Sequence, residues 1–246
     1  MKIANKSVLI TGGGSGIGLA IAQAMVAKGA LVTICGRNPS KLDQARKMTP
    51  QLQTVVCDVT SDGDIQNLVQ QFEKKGGLDI LINNAGVFES LNYSKGAPSV
   101  QIQEREVAID FMGPIRMVSH FLPILQARAE AAIVNVSSGL AFVPLALAPV
   151  YSGTKAGLHA WTRSLRYQLQ GTGLKVFELM PPLVKTEMVD AFGDQKMMSS
   201  SALAAAFIKG LEKDQLEITP GQSSQLKTMS RLAPEFIFKA VNKQFS

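Results

Sequence analysis

The sequence predicts an α/β fold, with a single doubly wound domain over residues 1–246 and a mainly parallel seven-stranded sheet covered by helices on both faces. Short apolar runs alternate with longer stretches of helical period along most of the chain. Several of those runs lack polar alternation, as strands do when both sheet faces are covered. No internal repeat or low-complexity linker interrupts the pattern, and 246 residues suit one large domain better than two small ones.

Taken in order, the predicted strands are Val8–Thr11, Leu31–Cys35, Thr54–Val59, Leu78–Asn83, Ala132–Ser137, Leu174–Leu179 and Leu216–Thr219. Between them the helical stretches are Ile17–Lys28, Lys41–Met48, Asp62–Lys74, Ser99–Gln126 and Tyr151–Gln170. Strand, helix and strand in succession require right-handed crossovers, which place ligands beyond the carboxyl ends of the strands.

Composition narrows the function classes. Hydrophobic residues make up 46% and charged residues 18%, a globular balance that argues against disorder. A net charge of +6 should attract anions, but the basic residues never form a long run, so no nucleic-acid partner is expected. Two cysteines, Cys35 and Cys57, do not make a disulfide scaffold, and a reducing cytoplasm is the expected location. The start of the chain runs directly into a strand and turn, leaving no room for a signal peptide. Between Glu130 and Lys155 lies the longest uncharged stretch, but Asn135, Ser137, Ser138, Gly139, Pro144, Pro149 and Ser152 break it, so no membrane span is expected. His120 and His159 have no His or Cys at ligand spacing, which points to no metal site. Trp161 reads as a packing or interface anchor.

After the first strand comes Thr11-Gly12-Gly13-Gly14-Ser15-Gly16-Ile17-Gly18, opening into a helix. Glycines let the backbone approach a pyrophosphate, and the helix start offers free N–H groups and a positive dipole end. This context, strand then glycine loop then helix, points to a Rossmann-like dinucleotide site with Gly12, Ser15, Gly16, Ile17 and Gly18 as its lining. The second strand ends in Gly36-Arg37, without the acidic residue that would hold a ribose 2′-hydroxyl. Arg37 offers donors suited to a 2′-phosphate, so NADP(H) is expected over NAD(H), although a solvated loop role for Arg37 stays open.

With these loops in place, the chain resembles the short-chain dehydrogenase/reductase family through about Met188. The family's Thr-Gly-x-x-x-Gly-x-Gly pattern is matched by Thr11, Gly12, Gly16 and Gly18. The resemblance implies that Asp58-Val59 lies beside the adenine and that Asn83-Asn84-Ala85-Gly86 stabilises the sheet and lines the cofactor site. It maps a Ser, Tyr and Lys triad onto Ser138, Tyr151 and Lys155, and implies that Pro181, Val184 and Thr186 line the nicotinamide. Family members are commonly dimers or tetramers, so a homodimer or homotetramer is expected. Pro181 to Met188, Glu217 to Gly221 and Arg231 to Pro234 resemble the DltE-type oxidoreductases, a branch that implies no particular substrate.

Tyr151 and Lys155 stand four apart on one predicted helix and so share a face. A phenol is a poor base at neutral pH, and a neighbouring ammonium stabilises its phenolate, making Tyr151 an acid/base for a carbonyl or alcohol oxygen. Ser138 can donate a hydrogen bond to that oxygen as charge builds on it. Asp110 departs from the family, which carries Asn there to support a helix bulge and a water linking the lysine to solvent. Asp110 either keeps that role or pairs with Lys155 and weakens its pull on Tyr151; a solvated carboxylate of little consequence is the third option. Pro182, where the family often has Gly, stiffens the turn under the nicotinamide.

Leu140 to Leu147 is apolar and should border the active site, favouring an apolar carbonyl or secondary alcohol. Residues 187–213, with Met188, Val189, Phe192, Met197 and Met198, are read as a substrate lid, against ordinary packing or an oligomer contact as alternatives. The C-terminal extension at 222–246 contains an amphipathic helix candidate, Pro234 to Lys243, that could close over the site, meet a second subunit or touch a membrane surface. The function this implies is an NADP(H)-dependent oxidoreductase. A silent NADP(H)-binding sensor or scaffold is the competing reading, favoured only by Asp110.

Overall fold

In the computed structural model, which describes residues 1–188 and 197–243, the chain alternates strand and helix from its start. It runs β1 (Ser7–Thr11), α1 (Gly16–Ala27), β2 (Leu31–Gly36), α2 (Pro39–Met48), β3 (Gln53–Val56), α3 (Asp62–Lys74) and β4 (Ile80–Asn83). There follow α4 (Val100–Val107), α5 (Gly113–Gln126), β5 (Ala131–Val136), α6 (Pro149–Gln168), β6 (Leu174–Leu179), α7 (Ser200–Glu212), β7 (Glu217–Ile218), α8 (Gln222–Leu232) and α9 (Pro234–Lys243).

The seven strands form one sheet in the order β3-β2-β1-β4-β5-β6-β7, and every pairing is parallel. Alternate residues of each strand feed opposite layers. Val8 and Ile10 of β1 point with Ile21 and Met25 of α1 and Phe207 and Leu211 of α7, while Leu9 points with Phe72 of α3 and Phe121 of α5. Both faces are therefore dry, which explains why these strands lack polar alternation. Chain order reverses on either side of β1, so its carboxyl end and that of β4 open a crevice for a ligand.

The structure departs from the sequence expectation in three places. The stretch read as one helix, Ser99–Gln126, is instead α4 and α5 joined by a π turn over Ala108–Met112, with Pro114 in the first turn of α5. Strand β3 stops at Val56, short of the expected Val59, because Asp58 turns the chain: its side chain accepts from Thr60 N at 2.9 Å and its carbonyl from Ser61 N at 3.0 Å. Of the segment expected to act as a lid, Val189 to Lys196 lie outside the described residues. Its later half is α7, which packs against α1 and buries Leu203, Phe207 and Leu211.

A buried polar chain fixes α6 against the sheet. Asn83 Nδ2 donates to Asn135 Oδ1 at 2.9 Å, Asn135 Nδ2 donates to Thr162 Oγ1 at 2.9 Å, and Thr162 donates to Leu158 O at 2.6 Å. These bonds tie β4, β5 and α6 into one unit, in an interior where each unpaired group would be costly.

Phe207 is completely buried between α7 and the sheet. Phe207→Ala should cost about 3–5 kcal/mol of stability, read as a lower midpoint in denaturant unfolding.

Candidate active site

At the carboxyl end of β1 the glycine loop is lashed to the segment after β4. Thr11 Oγ1 accepts from Asn84 N and Ala85 N, both at 3.0 Å, and Asn84 Nδ2 donates to Thr11 O at 2.9 Å and Gly12 O at 3.2 Å. Gly12 has φ +65, and a Cβ there would stand 2.8 Å from Ala85 Cα, so a side chain is excluded twice over. Ser15 is the N-cap of α1 yet its side chain makes no capping bond, which leaves the first-turn N–H groups for an anion.

Tyr151 and Lys155 sit in the first two turns of α6 and face the same cavity. Lys155 is buried. Its Nζ lies 3.2 Å from Asp110 Oδ2, donates to Val136 O at 3.3 Å and stands 5.3 Å from the centre of the Tyr151 ring. The Asp110 contact is an ion pair lying off the hydrogen-bond axis, and Asp110 Oδ1 accepts from Val87 N at 2.8 Å. Of the roles open to Asp110 from sequence, its geometry carries pairing with Lys155 and a place in a helix bulge together, and excludes a solvated carboxylate. It sits inside the π turn, which directs its carboxylate inward. Ser138 stands beside Tyr151 in the cavity wall and accepts from Leu140 N at 3.1 Å, while the edge of Phe88 packs on Tyr151 with ring centres 5.1 Å apart.

The electrostatics depart from the sequence expectation. Burial pushes Tyr151 above the usual phenol value; Lys155 and the Ser138 hydroxyl pull it down, but Asp110 and Glu106 oppose them. Burial works to lower Lys155, yet Asp110 and Tyr151 outweigh it and raise it, so the lysine is firmly charged. Asp110 is itself raised by burial, partly offset by Lys155. A neutral phenol beside a charged ammonium is arranged to give up a proton.

The cavity measures about 1170 Å³ and gathers most of the expected site residues: Gly12, Ser15, Gly16, Ile17, Gly18, Asn84, Ala85, Gly86, Asp110, Ser138, Tyr151, Lys155, Pro181, Val184 and Thr186. Arg37, Asp58 and Val59 stand outside its lining. Arg37 and Asp58 face each other at 3.8 Å across the ends of β2 and β3, and Val59 is buried against Gly113. Sequence reasoning missed Lys41, which bridges to Glu187 at 2.5 Å along the cavity rim, and Glu89, Gln222 and Gln225 in the wall. It also missed the burial of Glu106; a carboxylate on a polar helix carries no signal of its own.

The apolar part of the chamber is built by Leu140, Leu145, Leu183, Met188, Leu226, Ile237 and Val241. Helix α9 roofs it, held by Asn242, whose Oδ1 accepts from Ala146 N at 2.5 Å and whose Nδ2 donates to Pro144 O at 3.1 Å. Met198 is stitched beneath Val184 in a parallel bridge, accepting from Lys185 N at 2.9 Å and donating to Leu183 O at 3.0 Å. Among the described residues no three potential ligands converge for a metal, and no helix is long and apolar enough to cross a membrane. His159 binds Glu178 at 2.9 Å and His120 binds Asp62 at 3.2 Å.

A parallel sheet with a glycine loop at its switch point, and a Ser, Tyr and Lys cluster at the next strand ends, defines a dinucleotide-binding oxidoreductase fold. The family model described as short chain dehydrogenase matches residues 6–197, and the chain belongs to that family, in its DltE-type branch. The chain is 36% identical over 250 residues to "Uncharacterized oxidoreductase DltE" of Bacillus subtilis, covering 99% of each. It is 31% identical over 214 residues to an uncharacterized oxidoreductase of Staphylococcus epidermidis, covering 85% of this chain and 92% of the relative. Among solved structures, a short-chain dehydrogenase of Burkholderia cenocepacia in complex with NADP superposes with TM-score 0.87 at 22% identity, covering 98% of this chain and 99% of that one. A short-chain dehydrogenase/reductase of Burkholderia phymatum in complex with NAD gives 0.85 at 21%, covering 98% and 97%. These two likenesses speak to the fold.

Gly18 packs so tightly on the loop that an added methyl would overlap Gly12 O and Asn84 Nδ2. Gly18→Ala should therefore weaken binding of a reduced nicotinamide dinucleotide at least about tenfold, about 1.4 kcal/mol, measured by titration of cofactor fluorescence.

Proposed function

We propose that the protein is an NADP(H)-dependent oxidoreductase that interconverts an apolar carbonyl compound and its secondary alcohol. The observation that carries this reading is Tyr151 at the chamber wall, with Ser138 beside it and the buried Lys155 ammonium behind it. Bound at the glycine loop, the nicotinamide cofactor supplies or accepts the hydride. Tyr151 gives its proton to the carbonyl oxygen in reduction and recovers it in oxidation. Ser138 steadies that oxygen as negative charge develops, and Lys155 stabilises the phenolate left behind. The apolar walls exclude water and select a substrate of matching character.

Two observations favour NADP(H). Gly36 brings no carboxylate to the end of β2, and Arg37 meets Asp58 only at 3.8 Å with 46% of its side chain exposed, a weak pair that a 2′-phosphate can displace. The fold neighbours in complex with NAD and with NADP support a nicotinamide dinucleotide of either kind.

The test is a panel of apolar aldehydes and ketones followed by NADPH and NADH absorbance, with Tyr151→Phe alongside. We expect turnover with NADPH, and a loss of at least about a hundredfold in kcat for Tyr151→Phe. Cofactor binding without turnover across the panel would favour the silent sensor instead.

Asp110 raises Tyr151 through its negative charge, so Asp110→Asn should move the kinetic pKa assigned to Tyr151 downward. Reduction needs the protonated phenol, so the reductive profile should fall off at lower pH in the variant. The pH dependence of kcat/KM decides this, and superimposable profiles would refute it.

A further inference from the structure

Behind Asp110 lies a second carboxyl group that the reaction scheme has not used. Glu106, near the end of α4, is completely buried. Its Oε1 accepts from Glu89 N at 3.0 Å, and its Oε2 is buried with no protein hydrogen-bond partner among the described residues. Asp110, four residues on and in the π turn, accepts from Val87 N at 2.8 Å. The two carboxyl groups thus grip the same short segment two residues apart. That segment carries Phe88, whose ring packs on Tyr151.

The charged and titratable groups facing Glu106 are Asp110 on its own helical run, Lys155 and Tyr151 from α6, and Glu89 from the gripped segment. Only Lys155 is positive. Two ionised carboxylates here would share a single ammonium, an arrangement that favours keeping one proton on the pair.

We propose that Glu106 is a positioning residue that stores a proton for the Tyr151 site, with the Glu106 and Asp110 carboxyl groups holding one proton between them behind Lys155. This rests on the oxidoreductase reading above. When Tyr151 has protonated the substrate oxygen, Lys155 returns a proton to the phenolate: a Lys155 N–H bond breaks and the Tyr151 O–H bond reforms. The carboxyl pair then gives its proton to the Lys155 amine, and the doubly ionised pair later takes one from solvent. Consistent with storage, burial raises Glu106 to about 7, where a small change in its surroundings loads or unloads it.

Two readouts test this, one of them independent of turnover. Because burial raises the folded carboxyl above its ordinary 4.5, its stabilising contribution is complete below that value and is lost as pH climbs through about 7. Wild-type Tm should therefore fall between pH 5 and pH 8 by about 3 °C or more relative to Glu106→Gln, which keeps the shape and the acceptor for Glu89 N. In kinetics, Glu106→Gln should abolish or displace an ionisation near neutral pH in the kcat profile, an effect that a purely structural role would not produce. Should Glu106→Gln fail to fold, infrared pH titration of wild-type protein carrying ¹³C-labelled glutamate replaces it, with a glutamate carboxyl signal lost between pH 6 and 8 as the expected result. Equal pH dependence of Tm in the two proteins, or no such infrared signal, overturns the proposal. If no substrate is turned over but the Tm difference appears, the buried proton on the carboxyl pair stands, while the oxidoreductase reading fails and the relay to Tyr151 falls with it.

Discussion

A lysine ammonium buried beside β5 is the constraint around which the site is organised. Removing such a charge from water costs several kcal/mol unless close partners replace the lost hydration. Here the partners are the Asp110 carboxylate, the Val136 carbonyl and the face of Tyr151. Each must be delivered by a different element, so the helices and strands around Lys155 are held in fixed relation. The Asn83, Asn135 and Thr162 chain clamps α6 to the sheet and keeps Lys155 at its depth. The π turn brings Asp110 round to meet it, and the bond from Val87 N fixes the direction of that carboxylate.

The same arrangement governs the phenol. Lys155 alone would favour phenolate, but Asp110 and Glu106 place negative charge behind it and burial adds to their effect. Tyr151 is therefore held as a neutral phenol, with a charged ammonium close at hand. Replacing an amide by a carboxylate at position 110 is thus an electrostatic change that bears on both Lys155 and Tyr151.

Much of the fold was legible because a sheet buried on both faces leaves uninterrupted apolar runs, as in Ile80 to Ile82 and Ala131 to Val134. The glycine loop and the Tyr151 and Lys155 spacing were legible for a similar reason: backbone approach and a shared helical face each demand particular residues at particular intervals. The π turn was hidden from the apolar period of Ser99–Gln126, which one extra residue in a turn barely alters, and only the family resemblance implied a bulge at position 110. Glu106 was hidden because a carboxylate is normally read as solvent-facing, and its burial depends on a segment nearly twenty residues away in sequence. The direction of the Tyr151 shift required the depth of its surroundings, which spacing does not encode. Helix α7 was read as covering the substrate, yet it resembles a surface helix only in its serine-rich opening; its Leu203, Phe207 and Leu211 stripe belongs to the core.

Asn242 joins the last described helix to the loop at Pro144 and Ala146, and so brings the tail of the polypeptide into the wall of the reaction chamber. Evolution can therefore reshape substrate choice by altering the chain's end while the sheet and the cofactor loop stay as they are. For the experimenter, neither end is a neutral place for an affinity tag: the Met1 ammonium is buried against Leu211 O and Asp214, and a peptide fused just beyond Asn242 would tug on the ceiling of the chamber.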